Sequence, residues 1–145
     1  RYRSSAASDV YKRQLFYLNN QKSLRQVGLI DFQDAVIGSP LYDLASLLED
    51  VRRPLKSDLK KKLLEFYIKT INTNVQDAER EMRFFSIQRN LKILGIFCRL
   101  SIRDKKDSYL KYLPNTVKLI RKNLKDPFFI NLVNWLKQFK NHELI

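Results

Sequence analysis

The sequence predicts a mainly α-helical protein with a short β-hairpin near its N-terminus. Among its 145 residues 44% are hydrophobic and 12% are aromatic, which is outside the range of disordered chains. Only three glycines and four prolines interrupt it, so long regular elements can form. From residue 40 onward, apolar residues recur at helical spacing. A chain of this length forms one domain or part of a larger protein.

The first fourteen residues, RYRSSAASDVYKRQ, differ in character from the rest of the chain. They are small and polar, and they show no hydrophobic periodicity. They resemble translated adapter sequence, and a natural disordered arm is the alternative. We therefore expect residues 1–14 to be non-native or disordered and the folded lobe to occupy residues 15–145.

Residues 15–31 have the pattern of a β-hairpin. The segment LFYLN is rich in strand-forming residues, NNQKSLRQ is polar, and VGLID is an apolar run that ends at Asp31. The two short apolar runs, separated by a polar loop, predict paired strands.

The remaining elements, over residues 40–140, are predicted to be helices. Ser39 is suited to cap a first helix, with Pro40 at its first position and Pro54 beyond its end. The later helices are expected from Ser57 to Ile71, Gln76 to Ile102, Ser108 or Asn115 to Leu124, and Pro127 to Lys140.

Apolar spacing also predicts which faces of these helices are buried. In the second helix the core side is expected to carry Leu59, Leu63, Phe66 and Tyr67. In the last helix it is expected to carry Phe129, Leu132, Val133, Leu136 and Phe139.

The formal net charge of +13 is spread along the chain in lysine-rich clusters beside amphipathic helices. Solvated helix faces are the favoured interpretation, ahead of a phosphate-bearing small molecule and of nucleic acid. No recognised nucleic-acid motif accompanies the charge, so we expect no nucleic-acid partner. The single cysteine, Cys98, lies in an apolar run and is expected to be a buried thiol in a reducing, cytoplasmic compartment. No apolar stretch approaches the roughly 20 residues of a membrane span, so no membrane partner is expected.

Three aspartates between residues 31 and 43 require an explanation. A carboxylate at the end of a buried strand, such as Asp31, is costly unless backbone N–H groups, a basic side chain or a metal ion satisfies it. Asp34 follows three residues later, and Asp43 lies in the first turn of the predicted helix. An acid that only stabilises the following turn is the structural alternative for Asp31.

The segment IDFQDAVIGSPLYDLASLLEDVRRPL resembles the aminoglycoside phosphotransferase family, whose members have a protein-kinase-like fold and phosphorylate small molecules with ATP. The later segment QRNLKILGIFCRLSIRDKKDSYLKYLP is similar to one branch, the anomeric kinases of N-acetylmuramate and N-acetylglucosamine. The resemblance extends from about Leu15 to Leu124. It implies that the chain is the C-terminal lobe of a kinase-like fold.

The resemblance also implies roles for individual residues. Asp31 matches the acid that binds Mg²⁺ against the ATP phosphates, and Asp43 matches an acid that braces the catalytic loop. Asp34 has no firm assignment and is either an exposed turn acid or a group on the substrate side. Arg89 interrupts an apolar helix and either contacts the acceptor or pairs with an acid such as Asp43 or Glu49.

The family's catalytic loop, His-x-Asp followed by Asn, is not found before the hairpin. VYKRQ stands there, with Gln14 at the expected Asn, and the single histidine, His142, is near the C-terminus. No catalytic residue is therefore expected to be retained, and neither is the N-terminal lobe. We expect a fragment, inactive alone, of an ATP- and Mg²⁺-dependent kinase with an amino-sugar or aminoglycoside-like acceptor. A basic helical nucleic-acid-binding module and a non-catalytic scaffold are the alternatives, and the sequence does not predict the oligomeric state.

Overall fold

The computed structural model describes residues 15–29 and 38–139. Within these residues the chain forms two strands and five α-helices, which confirms the mainly α prediction. The elements are β1 Leu15–Tyr17, β2 Val27–Leu29, α1 Leu41–Leu48, α2 Ser57–Ile71, α3 Val75–Ile102, α4 Leu113–Leu124 and α5 Ile130–Leu136. Short 3₁₀ helices cover Ser23–Gln26, Asp107–Tyr112 and Pro127–Phe129. None of the helices in the described ranges combines the length and apolar character needed to cross a membrane.

Strands β1 and β2 pair antiparallel as a hairpin, with Leu15 opposite Leu29 and Tyr17 opposite Val27. The Leu18 backbone N–H donates to the Gln26 carbonyl at 2.8 Å and extends the pairing towards the loop. The predicted end of the hairpin at Asp31 lies outside the described residues.

Helix α1 begins at Leu41, one residue after the start predicted at Pro40. The Ser39 hydroxyl accepts a hydrogen bond from the Leu41 N–H at 3.1 Å, and the Ser39 carbonyl accepts one from the Tyr42 N–H at 3.3 Å. Ser39 therefore caps the helix, and Pro40 supplies the preset backbone angle of its first turn. One face of α1 is buried through Leu41, Leu44, Ala45 and Leu48.

The first core packs α1 against α2 and the N-terminal half of α3. It includes Ile68 of α2 together with Ala78 and Met82 of α3. The prediction for α2 is wrong in part, because Leu59 and Phe66 are exposed, Phe66 at 70%. Leu63 and Tyr67 pack against the core as predicted, together with Leu64, Ile68 and Ile71. Ser57 is the first residue of α2 and forms no side-chain cap.

Helix α3 is 28 residues long, which corresponds to about 42 Å. The Asn74 side chain caps it by accepting hydrogen bonds from the backbone N–H groups of Gln76 and Asp77. Its N-terminal half belongs to the first core. Further along, Ile87 joins a second core with Ile120, Leu124 and Phe129.

Two burial predictions for the C-terminal half are wrong. Helix α5 ends at Leu136, well before Lys140, and the Phe139 side chain beyond it is 51% exposed. Cys98 is exposed as well. The neighbouring Phe97 is the buried residue, and the centre of its ring lies 5.5 Å from the centre of the Tyr109 ring. Successive residues on a helix point about 100° apart, so burial of Phe97 leaves Cys98 facing away.

Candidate functional site at the first turn of helix α1

The first turn of α1 carries Asp43, the predicted structural brace. Its side chain is partly buried, and one carboxylate oxygen is shielded from solvent. The start of a helix has unpaired N–H groups and the positive end of the helix dipole, and both favour a carboxylate there. The flanking residues Leu41 and Leu44 are buried in the first core, so the helix cannot rotate without exposing them.

Helix α2 fixes the entry to this turn. The Tyr67 hydroxyl donates a hydrogen bond to the Pro40 carbonyl at 3.0 Å, across 27 residues of sequence. The carbonyl that precedes the helix is therefore held by a side chain from another element. The direction in which the chain enters α1 is set by tertiary structure as well as by the Ser39 cap.

Arg89 of α3 lies against Tyr42, the residue before Asp43. Its guanidinium donates a hydrogen bond to the Tyr42 hydroxyl at 3.3 Å and lies 5.3 Å from the centre of the Tyr42 ring. The same ring meets Phe85 edge to face at 5.4 Å. A cation over an aromatic ring is attracted by about 0.5–1 kcal/mol at exposed sites. These contacts of Arg89 therefore stabilise the packing of α3 against the turn that carries Asp43.

The sequence offered an acid such as Asp43 or Glu49 as one of two alternatives for the partner of Arg89, the other being the acceptor. Glu49 forms an ion pair with Lys60 at 3.4 Å. The structure gives Arg89 an aromatic partner instead. Tyr42 was not predicted to be a site residue. The feature that could have indicated it is its position directly before the acid of the YDLA segment.

A buried polar cluster lies between α3 and α4, immediately beyond Arg89. Asn90 is 1% exposed and donates from its amide to the Ser86 carbonyl at 2.8 Å and to the Ser86 hydroxyl at 3.3 Å. The Asn123 amide of α4 donates to the same hydroxyl at 2.8 Å. Buried polar contacts of this kind fix the relative position of two helices.

The structure brings Asp43 and Arg89 into one neighbourhood, but it does not place every predicted site residue. Asp31 and Asp34 lie outside the described residues, so the proposed metal ligand has no described geometry. Across residues 15–29 and 38–139, no group of three or more His, Cys, Asp or Glu side chains could hold a metal ion.

Among the described carboxylates, shifted pKa values occur away from this turn, at Asp126 between α4 and α5 and at Asp104 after α3. The Phe128 backbone N–H donates to the Asp126 carboxylate at 2.9 Å and, together with the nearby Arg83 guanidinium, lowers the pKa of Asp126. Similarly, the adjacent Arg103 guanidinium lowers the pKa of Asp104 at the end of α3. These carboxylates stabilise turns by accepting hydrogen bonds.

Comparison with known proteins connects this turn to an enzyme family. The model of the phosphotransferase enzyme family matches residues 19–85, from the hairpin loop into α3. The match therefore contains the whole of α1 and α2, including Asp43 and Tyr42.

Curated relatives extend the similarity further along the chain. An N-acetylmuramate/N-acetylglucosamine kinase of Neisseria meningitidis serogroup B is 34% identical over 125 residues, which is 81% of this chain and 37% of the relative. A protein of the same name from Caulobacter vibrioides is 29% identical over 135 residues, which is 90% of this chain and 36% of the relative. One from Pseudomonas putida is 31% identical over 104 residues, or 66% of this chain and 30% of the relative.

The chain spans about a third of the length of these relatives. The similarity is spread over most of the chain and is not confined to one short motif. The family match and these relatives together show that this chain is similar to the phosphotransferase enzyme family over most of its length.

Proposed function

We propose that this chain is the C-terminal lobe of a protein-kinase-like enzyme that transfers the γ-phosphoryl group of ATP to a hydroxyl of an amino sugar. N-acetylmuramate and N-acetylglucosamine are the proposed acceptors, and the enzyme is proposed to act in the cytoplasm. The observation that carries the proposal is 34% identity over 81% of the chain to a kinase named for those two sugars. An aminoglycoside-like acceptor is the second candidate, because family membership constrains the reaction better than the acceptor.

In this proposal Asp31 binds Mg²⁺. A carboxylate is the kind of hard oxygen ligand that Mg²⁺ prefers, and Asp31 ends an apolar strand sequence within the region matched by the family. When bound, the metal would neutralise charge on the phosphate oxygens.

Asp43 acts as a brace rather than as a reacting group. Its partly buried carboxylate and its place in the first turn of a helix packed into the first core support this role. The Tyr42 contact suits Arg89 to positioning that same turn. We also propose that Arg89 and Asp34 lie on the acceptor side of the site, where either could contact the sugar.

We further propose that these 145 residues alone do not catalyse phosphoryl transfer. They contain neither a His-x-Asp loop nor a glycine-rich phosphate loop. Phosphoryl transfer depends mainly on positioning and electrostatic stabilisation, and one candidate metal ligand supplies little of either.

The test is a kinase assay on a longer protein in which this lobe follows a nucleotide-binding lobe and a His-x-Asp loop. With ATP and Mg²⁺ we expect ADP release that depends on N-acetylmuramate or N-acetylglucosamine. The substitution Asp31→Ala should lower kcat by more than about 100-fold, because removing even an outer partner of a metal ligand often costs 10–100-fold.

Asp58→Ala is the matched control, since it removes an exposed aspartate from the first turn of α2. It should leave turnover unchanged. Undiminished activity in the Asp31→Ala protein would show that the metal assignment is wrong. If ADP release depended on an aminoglycoside and on neither sugar, the acceptor would be an aminoglycoside-like molecule and not the proposed amino sugar.

A further inference from the structure

A basic cleft of about 800 Å³ opens between α4 and the segment that follows α1. Its charged lining consists of five cations and one acid: Lys60, Lys118, Arg121, Lys122, Lys125 and Asp50. Pro54, Pro114 and Leu119 add an apolar surface. The volume falls within the range of small-molecule sites, which is roughly 300–1,000 Å³.

Three of the lysines lie along α4, with Lys118 and Lys122 in the helix and Lys125 directly after its last residue, Leu124. Lys118, Lys122 and Lys125 are exposed and follow the i, i+4, i+7 spacing that places side chains in a row. The row extends about 10 Å along the helix axis. Like charges at this spacing repel one another and disfavour the helix. The helix dipole favours cations in the last turn, but Lys118 lies at the middle of α4 and gains less.

The acids near the cleft are engaged with other cations. Asp50 accepts hydrogen bonds from the Arg52 backbone N–H at 2.9 Å and from its guanidinium at 3.1 Å. Lys60 on the opposite wall pairs with Glu49 at 3.4 Å. Within residues 38–139, no ion pair neutralises Lys118, Lys122 or Lys125. The cleft therefore presents a net positive potential.

We propose that this cleft binds a small molecule that carries two or more phosphate groups. A row of ammonium groups suits several linked anionic centres, because each lysine binds phosphate as a point charge through charge-assisted hydrogen bonds. The limited volume of the cleft and its apolar surface favour a compact ligand over a nucleic-acid strand. The ligand is either an inorganic oligophosphate or a nucleotide, and both share this chemistry.

The position of the cleft separates this inference from the proposed catalysis. Asp50 and Val51, which line it, follow the C-terminus of α1, whereas Asp43 lies in the first turn of the same helix. These two ends of α1 are separated by roughly 8 Å or more. The inference does not depend on the kinase proposal and can be tested on the 145-residue chain.

The experiment is titration calorimetry of the chain with tripolyphosphate, ADP and orthophosphate at physiological ionic strength. The variant Lys118→Gln/Lys122→Gln/Lys125→Gln should weaken binding of tripolyphosphate or ADP by at least about tenfold, because three charge-assisted contacts are lost. Orthophosphate should bind the unaltered chain at least about tenfold more weakly than the better of the two larger ligands.

The matched control is Lys62→Gln/Lys69→Gln/Lys92→Gln, which removes the same charge from exposed lysines outside the cleft. It should change affinity by less than about twofold, because long-range attraction is largely screened at this ionic strength. Glutamine has nearly the helix propensity of lysine, so neither triple variant should lower the melting temperature of the chain. If the cleft variant unfolds, Lys122→Gln alone is used and should weaken binding several-fold.

Tighter binding of ADP than of tripolyphosphate identifies a nucleotide site, and the reverse order identifies an oligophosphate site. Equal losses in the cleft and control variants would overturn the proposal, because attraction would then reflect net charge alone. The proposal would also be overturned if orthophosphate bound as tightly as tripolyphosphate and ADP. Binding of an oligonucleotide when neither tripolyphosphate nor ADP binds would overturn it as well.

Discussion

The two hydrophobic cores formed by the described residues hold their helices in position through different interactions. Around α1 the buried residues are almost all apolar, and its one buried polar side chain, Ser46, bonds within the helix to the Tyr42 carbonyl. Between α3 and α4 the apolar contacts adjoin the buried amide of Asn90, which shares the Ser86 hydroxyl with Asn123. Apolar packing therefore holds the body of α1, with hydrogen bonds from Tyr67 and Arg89 only at its first turn. In the second core, buried hydrogen bonds help to fix the register of the helix that carries the basic cleft.

The largest expected effect comes from truncating each core separately. Leu41→Ala in the first core and Ile120→Ala in the second remove side chains that are 2% and 0% exposed. Each should lower the free energy of unfolding by about 2–5 kcal/mol, which combines lost burial with the cavity left behind. The measurement is urea unfolding of both variants.

Two probes show whether the cores unfold together. Helical circular dichroism reports on the whole chain, while the single tryptophan, Trp135, reports on α5 beside the second core. Because α3 runs through both cores, we expect coincident transitions. If Leu41→Ala shifted the dichroism but left the fluorescence midpoint unchanged, the cores would be independent.

A smaller effect is expected where α3 meets the first turn of α1. Arg89→Met keeps the aliphatic stem but removes the cation over the Tyr42 ring, and should cost about 0.5–1 kcal/mol in urea unfolding. Tyr42→Phe removes only the hydroxyl that accepts from Arg89 and should cost less. If Arg89→Met left stability unchanged, Arg89 would have no positioning role, and a ligand contact would be the better explanation.

The smallest effect is expected in acid, at the turn between α4 and α5. Because the pKa of Asp126 is lower in the folded chain, its contribution to stability is complete above the ordinary pKa of about 4 and is lost as the pH falls below it. Asp126→Asn keeps an N-capping side chain but cannot titrate.

Unfolding free energies of this variant, measured at neutral pH and at about pH 3, should therefore differ less than those of the unaltered chain. Asp58→Asn serves as the control because it changes an exposed acid on α2. A variant with an acid dependence equal to that of the unaltered chain would show that other carboxylates cause the loss of stability.

Local signals in the sequence were sufficient for the start of α1 and for nearly all of α3. Ser39 and Pro40 mark a helix start through short-range hydrogen bonding and a preset backbone angle, and neither depends on distant residues. Helix α3 begins one residue before its predicted start at Gln76 and ends at Ile102, as predicted. Asp43 could be placed in the first turn of α1 for the same reason.

Burial of helix faces was harder to predict because it depends on which partner each face meets. On α2 the apolar residues cover more than one face, and the packing of α1 and α3 selects Ile68 while leaving Phe66 exposed. The aromatic partner of Arg89 depends on the approach of α3 to α1, which no local pattern encodes. The basic cleft could not be predicted from local patterns either, since its walls come from segments more than fifty residues apart in the sequence.

The continuity of α3 limits how this lobe can change in length. One residue inserted between Met82 of the first core and Ile87 of the second would rotate the rest of the helix by about 100° and advance it by 1.5 Å. The side chains facing α4 would then face solvent. Insertions and deletions should therefore accumulate in the connections between helices, such as residues 103–106. The length of α3 between the two cores should stay constant, because it sets their spacing and relative rotation.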